Sequence, residues 1–197
     1  MRIILKSVGK RFNKQWIFKN IDFELEENSR IAIIGANGSG KSTLMQIMAG
    51  YLSPSVGSVA YEPDLENIQL HFNYAAPYYE LIEEYTLTEL LHFHSQFKNP
   101  KIKISEMCKR ANLTRAQNKP LMLFSSGMKQ RVKLILAFFF DSKVIFLDEP
   151  TANLDEEGAL WYKKEIEAIT DSCILIASNQ KFEYSFTSEH INIENFK

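Results

Sequence analysis

The sequence predicts an α/β fold in which a mostly parallel sheet is flanked by helices. Three short apolar runs, Arg30–Ile34, Lys143–Asp148 and Cys173–Ala177, have the composition of strands that are buried on both faces. A glycine-rich loop joins the first of these runs to a helix expected over Thr43–Met48. Before Arg30, the segment Ile21–Leu25 alternates apolar and polar residues, which is typical of a half-buried strand. We therefore expect an N-terminal antiparallel β layer that leads into the α/β core.

Local patterns predict the remaining elements. Thr86 and Glu89 have the spacing of a capping box, so a helix is expected to begin there. Further helices are expected at Ser105–Leu113, Ser125–Phe140 and Gly158–Ile169, a turn at Lys10–Gln15, and short strands at Ile3–Val8, Val59–Tyr61, Leu70–Ala75 and Ile191–Ile193. The helices at about residues 78–130 are expected to form a helical subdomain inserted in the α/β core of a single domain, residues 1–197.

Composition limits the class of protein. The chain has 197 residues, 45% of them apolar, and a formal net charge of −1, which gives no reason to expect nucleic-acid binding. Its two cysteines, Cys108 and Cys173, are not in metal-ligand spacing and indicate a reducing compartment. The N-terminal apolar run is too short for a signal peptide, and the longest run, Leu134–Phe140, is too short to span a membrane. A soluble cytoplasmic protein is therefore expected.

The segment Gly35–Thr43 fits the phosphate-loop pattern G-x-x-x-x-G-K-[ST], between a strand and a helix. Glycines allow the backbone to turn its N–H groups inward onto a polyphosphate, and the following helix adds its N-terminal donors. Lys41 is expected to neutralise the β- and γ-phosphates, and the Ser42 hydroxyl to coordinate Mg²⁺. The full set of expected phosphate-loop contacts is Gly35, Asn37, Gly38, Ser39, Gly40, Lys41, Ser42 and Thr43. These features predict a P-loop NTPase core.

Asp148 and Glu149 follow directly on the apolar strand that begins at Val144. In a P-loop protein this position places Asp148 beside the phosphate loop, where it can hold Mg²⁺ through water. Glu149 would then face the γ-phosphate and polarise the attacking water. A strand that simply ends in a charged turn is the alternative, but the phosphate loop upstream favours the catalytic interpretation.

Two further segments give a specific resemblance. Val144–Asp155 resembles the Walker B and D-loop segment of ABC ATPases, and Phe124–Arg131 resembles the ABC signature, usually L-S-G-G-Q followed by K-Q-R. With the P-loop, the resemblance to the nucleotide-binding subunits of ABC transporters extends from Lys6 to Asn179. It implies that two such domains pair head to tail with ATP between them. Ser125 and Gly127 would then contact the γ-phosphate of the nucleotide bound by the partner.

The resemblance also implies an aromatic side chain that stacks on the adenine. Phe12 lies in the turn where the family has this residue, and Trp16 is the alternative. Stacking does not read the edges of the base, so this contact does not distinguish ATP from GTP.

Three segments depart from the family pattern. The signature has Ser126 for its first Gly and Met128 for its Gln, and a Cβ at Ser126 could crowd a close approach to phosphate. No Gln follows Pro77, and Tyr78 stands in its place; Asn179 stands where the family has a switch His. Asn179 can donate a hydrogen bond but carries no positive charge, a loss on the order of 2–4 kcal/mol in a transition-state site. We therefore expect tight ATP·Mg²⁺ binding with weak turnover.

The resemblance implies an ATP-binding subunit that drives separate integral membrane subunits from the cytoplasmic face of the membrane. Its second ATP-binding subunit would be another copy of this chain or a different one, with no direct contact to nucleic acid. A non-transport ABC ATPase acting on nucleic acid or ribosomes is the alternative, and retention on heparin or RNA would favour it. A P-loop kinase of small molecules is a third possibility, which leaves the segment Ser125–Arg131 unexplained.

Overall fold

The computed structural model covers residues 1–197 and contains eight strands and five helices, with short 3₁₀ turns between them. The strands are β1 (Arg2–Phe12), β2 (Gln15–Leu25), β3 (Arg30–Ile34), β4 (Val56–Glu62), β5 (Phe72–Ala75), β6 (Val144–Asp148), β7 (Cys173–Ala177) and β8 (Glu189–Asn192). The helices are α1 (Lys41–Met48), α2 (Leu87–His94), α3 (Ile104–Arg110), α4 (Ser126–Phe138) and α5 (Glu156–Glu167). None of the five combines the length and the apolar character that crossing a membrane requires.

The central sheet has five strands in the order β5-β6-β7-β3-β8, and each neighbouring pair is parallel. In β3 and β7 the predicted bounds agree with the structure, whereas β6 begins at Val144, one residue after the start of the predicted run. Parallel strands bring their carboxyl ends to one edge of the sheet, where open α/β folds bind ligands. The loops that follow β3, β6 and β7 therefore meet at this edge, which we call the catalytic edge.

The N-terminal layer is a separate antiparallel sheet in the order β2-β1-β4, as the sequence predicts. Its strands are longer than expected, and the turn predicted over Lys10–Gln15 is wrong in extent. Only Asn13 and Lys14 lie between β1 and β2. The hairpin is this tight because Asn13 takes a left-handed backbone conformation, φ 54°, which Asn tolerates better than most residues.

The core lies on both faces of the parallel sheet. Ile145 and Leu147 of β6 point toward the helices α2 to α5, whereas Val144 and Phe146 point toward α1 and the antiparallel layer. This alternation explains why the strand reads as a continuous apolar run. Residues of α2 and α3 belong to the same buried cluster as the sheet. The helical subdomain at residues 78–130 remains a prediction.

The capping box predicted at Thr86 is confirmed. The Thr86 hydroxyl oxygen accepts from the Glu89 N–H, and the Glu89 carboxylate accepts from the Thr86 N–H at 2.8 Å. The strand predicted over Leu70–Ala75 is wrong at its start, because residues up to His71 form a 3₁₀ turn. The strand begins at Phe72, and its buried Asn73 donates to two carbonyl oxygens at the end of α4.

Helix α4 is fixed to the loop that follows β6. The Ser125 hydroxyl oxygen caps the helix by accepting from the Met128 N–H at 3.2 Å. Further along, the buried Gln130 amide donates to the Pro150 carbonyl oxygen at 2.8 Å. At Gly127 the loop approaches so closely that a Cβ would lie 2.8 Å from the Asn153 carbonyl oxygen. Glycine at this position therefore sets the spacing between α4 and the loop.

Replacing Gly127 by Ala tests this contact, because two effects oppose each other. Alanine stabilises a helix interior by about 1 kcal/mol relative to glycine. A methyl group forced against a backbone oxygen costs about 1–3 kcal/mol. We expect the clash to prevail, so that Gly127→Ala lowers the free energy of unfolding measured in urea.

Ser126→Ala is the matched control, since Ser126 lies on the same turn of α4 but is exposed. Its free energy of unfolding should stay within about 0.5 kcal/mol of the parent. A Gly127→Ala variant more stable than the parent would show that the loop moves away at little cost.

Candidate nucleotide-binding site

The P-loop connects β3 to α1 and holds its glycines in conformations that other residues rarely adopt. Gly38 has φ 76° and open space around it, whereas Gly40 has φ 107° and packs against Ile17 of β2. Gly40 is also the N-cap of α1, and no side chain caps this helix. The first N–H groups of α1 therefore remain available to an anion at the catalytic edge.

Lys41 is buried within the loop. Its Nζ donates to the carbonyl oxygens of Gly35 and Ala36, both at 3.0 Å, and the residue is 5% exposed. An ammonium group has three donors, so one N–H is left for another acceptor. The loop thus holds a desolvated positive charge at the catalytic edge.

Asp148 ends β6 and is 2% exposed. Its carboxylate accepts a hydrogen bond from the Tyr78 hydroxyl, 2.8 Å from Oδ2, and the Ser42 hydroxyl and Lys41 lie nearby. Burial raises the pKa of the Asp148 carboxyl, and the two neighbouring hydroxyls oppose that rise. The structure therefore brings Lys41, Ser42 and Asp148 together, as the sequence predicts.

The donor set suits Mg²⁺ that is shared with a polyphosphate. One carboxylate and one hydroxyl meet here, and Mg²⁺ in phosphate-transfer sites takes few protein ligands beside water and phosphate oxygens. No group of three or more His, Cys, Asp or Glu side chains is placed to hold a metal ion alone. Ser42 and Asp148 therefore fit a metal that arrives with the nucleotide.

Glu149 has an unusual backbone for its residue type. Its φ is 43°, in the left-handed region, and its N–H donates to the Ala177 carbonyl oxygen of β7 at 2.9 Å. Such strain costs about 1–3 kcal/mol and is concentrated at functional sites. The conformation presents the half-buried side chain at the catalytic edge, next to Asp148.

Asn179 follows β7 and contacts the P-loop. Its Nδ2 donates to Oδ1 of Asn37 at 2.8 Å, and both residues are exposed. The residue expected at the switch position thus lies at the catalytic edge, bound to a P-loop side chain. Its role in catalysis stays a prediction.

Ser125 and Gly127 lie apart from this edge within the chain. Together with Asn153 and Asp155 they line a shallow depression that includes no residue of the P-loop. Ser125 and Ser126 are exposed at the N-terminus of α4, so the Ser126 side chain crowds nothing within this chain.

The hairpin of β1 and β2 presents two aromatic side chains near the P-loop. Phe12 is 47% exposed, with the Lys10 ammonium 5.2 Å from its ring. Trp16 is more covered, with Arg11 and Lys19 over its ring at 5.5 and 5.1 Å. Phe12 has the more accessible face, and its stacking on adenine stays a prediction.

Three contacts at the catalytic edge were not predicted from the sequence. Tyr78 donates to Asp148, Glu183 accepts from the N–H and hydroxyl of Thr151, and Glu194 accepts from the Ala36 N–H at 2.9 Å. Only Tyr78 had a signal, because it interrupts the family pattern. The glutamates lie far along the chain from their partners, and no local spacing marks them.

Comparison with known proteins identifies the family. The family model for ABC transporters matches residues 18–152. The chain is 31% identical over 159 residues to the ABC transporter ATP-binding protein YxlF of Bacillus subtilis. The aligned region covers 78% of this chain and 54% of YxlF. This chain thus spans about half the length of YxlF. It is also 33% identical over 171 residues to a Staphylococcus aureus protein named as the hemin import ATP-binding protein HrtA, covering 79% of this chain and 77% of that protein.

Solved structures share the fold at low identity. An ABC transporter ATP-binding protein from Pyrococcus furiosus superposes with a TM-score of 0.83 at 18% identity and full coverage of both chains. A dimeric post-hydrolysis state of the ATP-binding cassette MJ0796, bound to ADP and Pi, gives 0.80 at 21% identity, covering 97% of this chain and 94% of that one.

The segment matched by the family model is more than half of the chain, and it includes the P-loop, the signature-like segment and Asp148. These sequence matches, with the fold of the structural neighbours, show that the chain belongs to the ABC transporter family of ATP-binding proteins, an ATPase family.

Proposed function

We propose that this chain is the ATP-binding and ATP-hydrolysing subunit of an ABC transporter that drives separate membrane subunits. The observation that supports it most directly is the meeting of Lys41, Ser42 and Asp148 beside an uncapped, glycine-rich helix N-terminus. A site for a nucleoside triphosphate and its metal requires a positive charge, backbone N–H donors and a metal-binding carboxylate close together.

In this proposal, Lys41 exchanges the loop carbonyls for phosphate oxygens when ATP binds. The N–H groups from Gly38 to Thr43 take up the β- and γ-phosphates, and Phe12 stacks on the adenine. Ser42 and Asp148 would hold Mg²⁺, which would neutralise phosphate charge. The strong neutralisation by Lys41 and the loop favours tight binding before any chemistry takes place.

Glu149 is the residue proposed to orient and polarise the attacking water. Its side chain leaves the end of β6 immediately after Asp148, in a backbone conformation that the N–H bond to Ala177 holds in place. Asn179 offers a neutral donor at the same edge. Because it carries no charge, we propose slow turnover.

The second ATP-binding subunit would place its own P-loop against the depression that Ser125 and Gly127 line. The N-terminus of α4 is exposed there and carries no acidic residue in its first turn. A helix N-terminus of this kind favours phosphate. ATP would then join the two subunits, and its hydrolysis would release them.

In this proposal the chain works at the cytoplasmic face of the membrane, and the membrane partner docks on its helical side. A groove beside β5 and α2 is lined by Tyr51, Tyr74, His94 and Lys98 among others. Its aromatic side chains are of the type that is enriched at protein interfaces.

Glu149→Gln tests ATP binding and subunit pairing together. We expect this variant to retain ATP in the presence of Mg²⁺ and to shift from monomer to dimer, because it binds the nucleotide without hydrolysing it. Nucleotide content and the mass in solution, from light scattering, measure both effects.

Lys41→Ala in the same background is the control, and it should weaken ATP binding about 10- to 100-fold, since a hydrogen bond to a charged group is worth about 1.5–3 kcal/mol. A Glu149→Gln protein that carries no nucleotide and stays monomeric contradicts the proposal. Bound nucleotide without pairing indicates that the second subunit is a different chain.

Asn179→His tests the proposed cause of slow turnover. A histidine can bring a positive charge to the developing phosphate charge, and one such donor is worth about 10²–10³-fold in rate in a well-organised site. We expect kcat for ATP hydrolysis to rise at least about tenfold, with the affinity for ATP little changed. Phosphate release at saturating ATP measures it.

Asn179→Gln keeps the neutral amide and should not raise the rate. Glu149→Gln added to the histidine variant should abolish the gain, which excludes a contaminating ATPase. A histidine variant no faster than the parent would show that another step limits turnover.

A further inference from the structure

The Tyr78 hydroxyl is fully engaged in hydrogen bonds at the catalytic edge. It donates to Oδ2 of Asp148 at 2.8 Å. Its oxygen lies 3.1 Å from the Tyr74 hydroxyl and accepts from Nε2 of Gln46 at 3.4 Å. A phenol has one donor and two lone pairs, so these three contacts use its entire capacity.

The position of this hydroxyl is held by neighbouring rings. The Tyr74 ring stacks on Phe146 of β6, with centroids 5.7 Å apart and planes at 19°. The Tyr79 ring meets Tyr78 edge to face at 5.0 Å. The preceding Pro77 carbonyl oxygen accepts from Nζ of Lys133 on α4 at 2.6 Å. Contacts from the sheet and from α4 thus direct Tyr78 onto Asp148.

This arrangement takes up one position on Oδ2 of Asp148. The carboxylate is almost completely buried, and the Ser42 hydroxyl also lies beside it. The phenol O–H of Tyr78 is the donor in its hydrogen bond to Oδ2 of Asp148. Mg²⁺ retains several of its waters and dehydrates reluctantly, so it needs room for a water beside the carboxylate.

We propose that Tyr78 is a positioning residue that sets the metal dependence of nucleotide binding, because its hydroxyl occupies the place on Asp148 that a metal-bound water would take. This inference rests on the proposed function, since it concerns the same metal site. A metal-bound water at this position would have to displace the Tyr78 hydroxyl from Oδ2 of Asp148. The metal therefore adds less to nucleotide affinity here than it would at an unobstructed carboxylate.

Tyr78→Phe removes the hydroxyl and keeps the ring. Calorimetric titration of the full chain with a non-hydrolysable imido analogue of ATP gives the dissociation constant of the analogue in Mg²⁺ and in EDTA. We call the constant in EDTA divided by the constant in Mg²⁺ the metal enhancement. We expect Tyr78→Phe to increase this enhancement about tenfold, the effect of one hydrogen bond to a charged group. The constant in EDTA should stay within about twofold, because the P-loop contacts are unchanged.

Tyr79→Phe is the matched control. Tyr79 is the adjacent residue in the same aromatic cluster, and its hydroxyl makes no hydrogen bond. Its metal enhancement should equal that of the parent. Tyr74→Phe removes the hydroxyl that lies 3.1 Å from the Tyr78 hydroxyl but leaves Tyr78 itself in place. It should raise the metal enhancement by a smaller factor. It provides a second variant if Tyr78→Phe folds poorly.

An unchanged enhancement in Tyr78→Phe, with the Tyr74→Phe value also unchanged, overturns the proposal. A reduced enhancement overturns it as well and assigns the phenol as a supporting ligand instead. Failure of the proposed function gives a different result: the parent chain itself binds no analogue, in Mg²⁺ or in EDTA, and Lys41→Ala has no effect.

Discussion

The site depends on which groups stabilise the negative charge of the buried Asp148 carboxylate. A carboxylate that is 2% exposed is stable only if hydrogen bonds and nearby positive charge replace its lost hydration. Tyr78 donates a hydrogen bond to it, and the Ser42 hydroxyl and the Lys41 charge lie nearby, although Lys41 is itself bound to loop carbonyls. Burial still raises the pKa of Asp148, so these groups do not fully replace the lost hydration. A divalent cation together with phosphate is the combination that would complete it, because the cation serves Asp148 and the phosphate serves Lys41.

Three lateral contacts connect the loops at the catalytic edge. Glu149 donates to Ala177 across β6 and β7, and Asn179 donates to Asn37 across to the P-loop. Glu183 accepts from Thr151, which connects the segment after β7 to the loop that Gly127 packs against. The loops after β3, β6 and β7 are therefore joined side by side, and the loop after β6 also contacts the first turns of α4.

The sequence predicts those parts of the structure that depend on neighbours along the chain. Strand β6 and the capping box at Thr86 are local patterns, and both agree with the structure. The predicted start of β5 is wrong. Leu70 and His71 have strand-like composition, but Asn67 takes a left-handed backbone conformation and the residues after it form a 3₁₀ turn. Contacts such as Glu194 with Ala36 join residues 158 positions apart, and one sequence without homologues gives no information about them. The roles of Phe12 and Asn179 depend on where a nucleotide binds. Neither the sequence pattern nor the packing of the chain defines that position.

The departures from the family pattern are not spread evenly over the site. The P-loop and Lys41, which would bind ground state and transition state alike, fit their pattern, whereas the positions of Tyr78 and Asn179 hold residues of a different kind. Uniform binding lowers the dissociation constant without raising the rate of the chemical step. In the proposed function, this chain would therefore join its partner subunit firmly and release it slowly. A pair of unlike subunits could then leave timing to the partner's site. In the proposed function, the hydrogen bond from the Tyr78 phenol to Asp148 would contribute to that division, because it competes with the metal for the carboxylate.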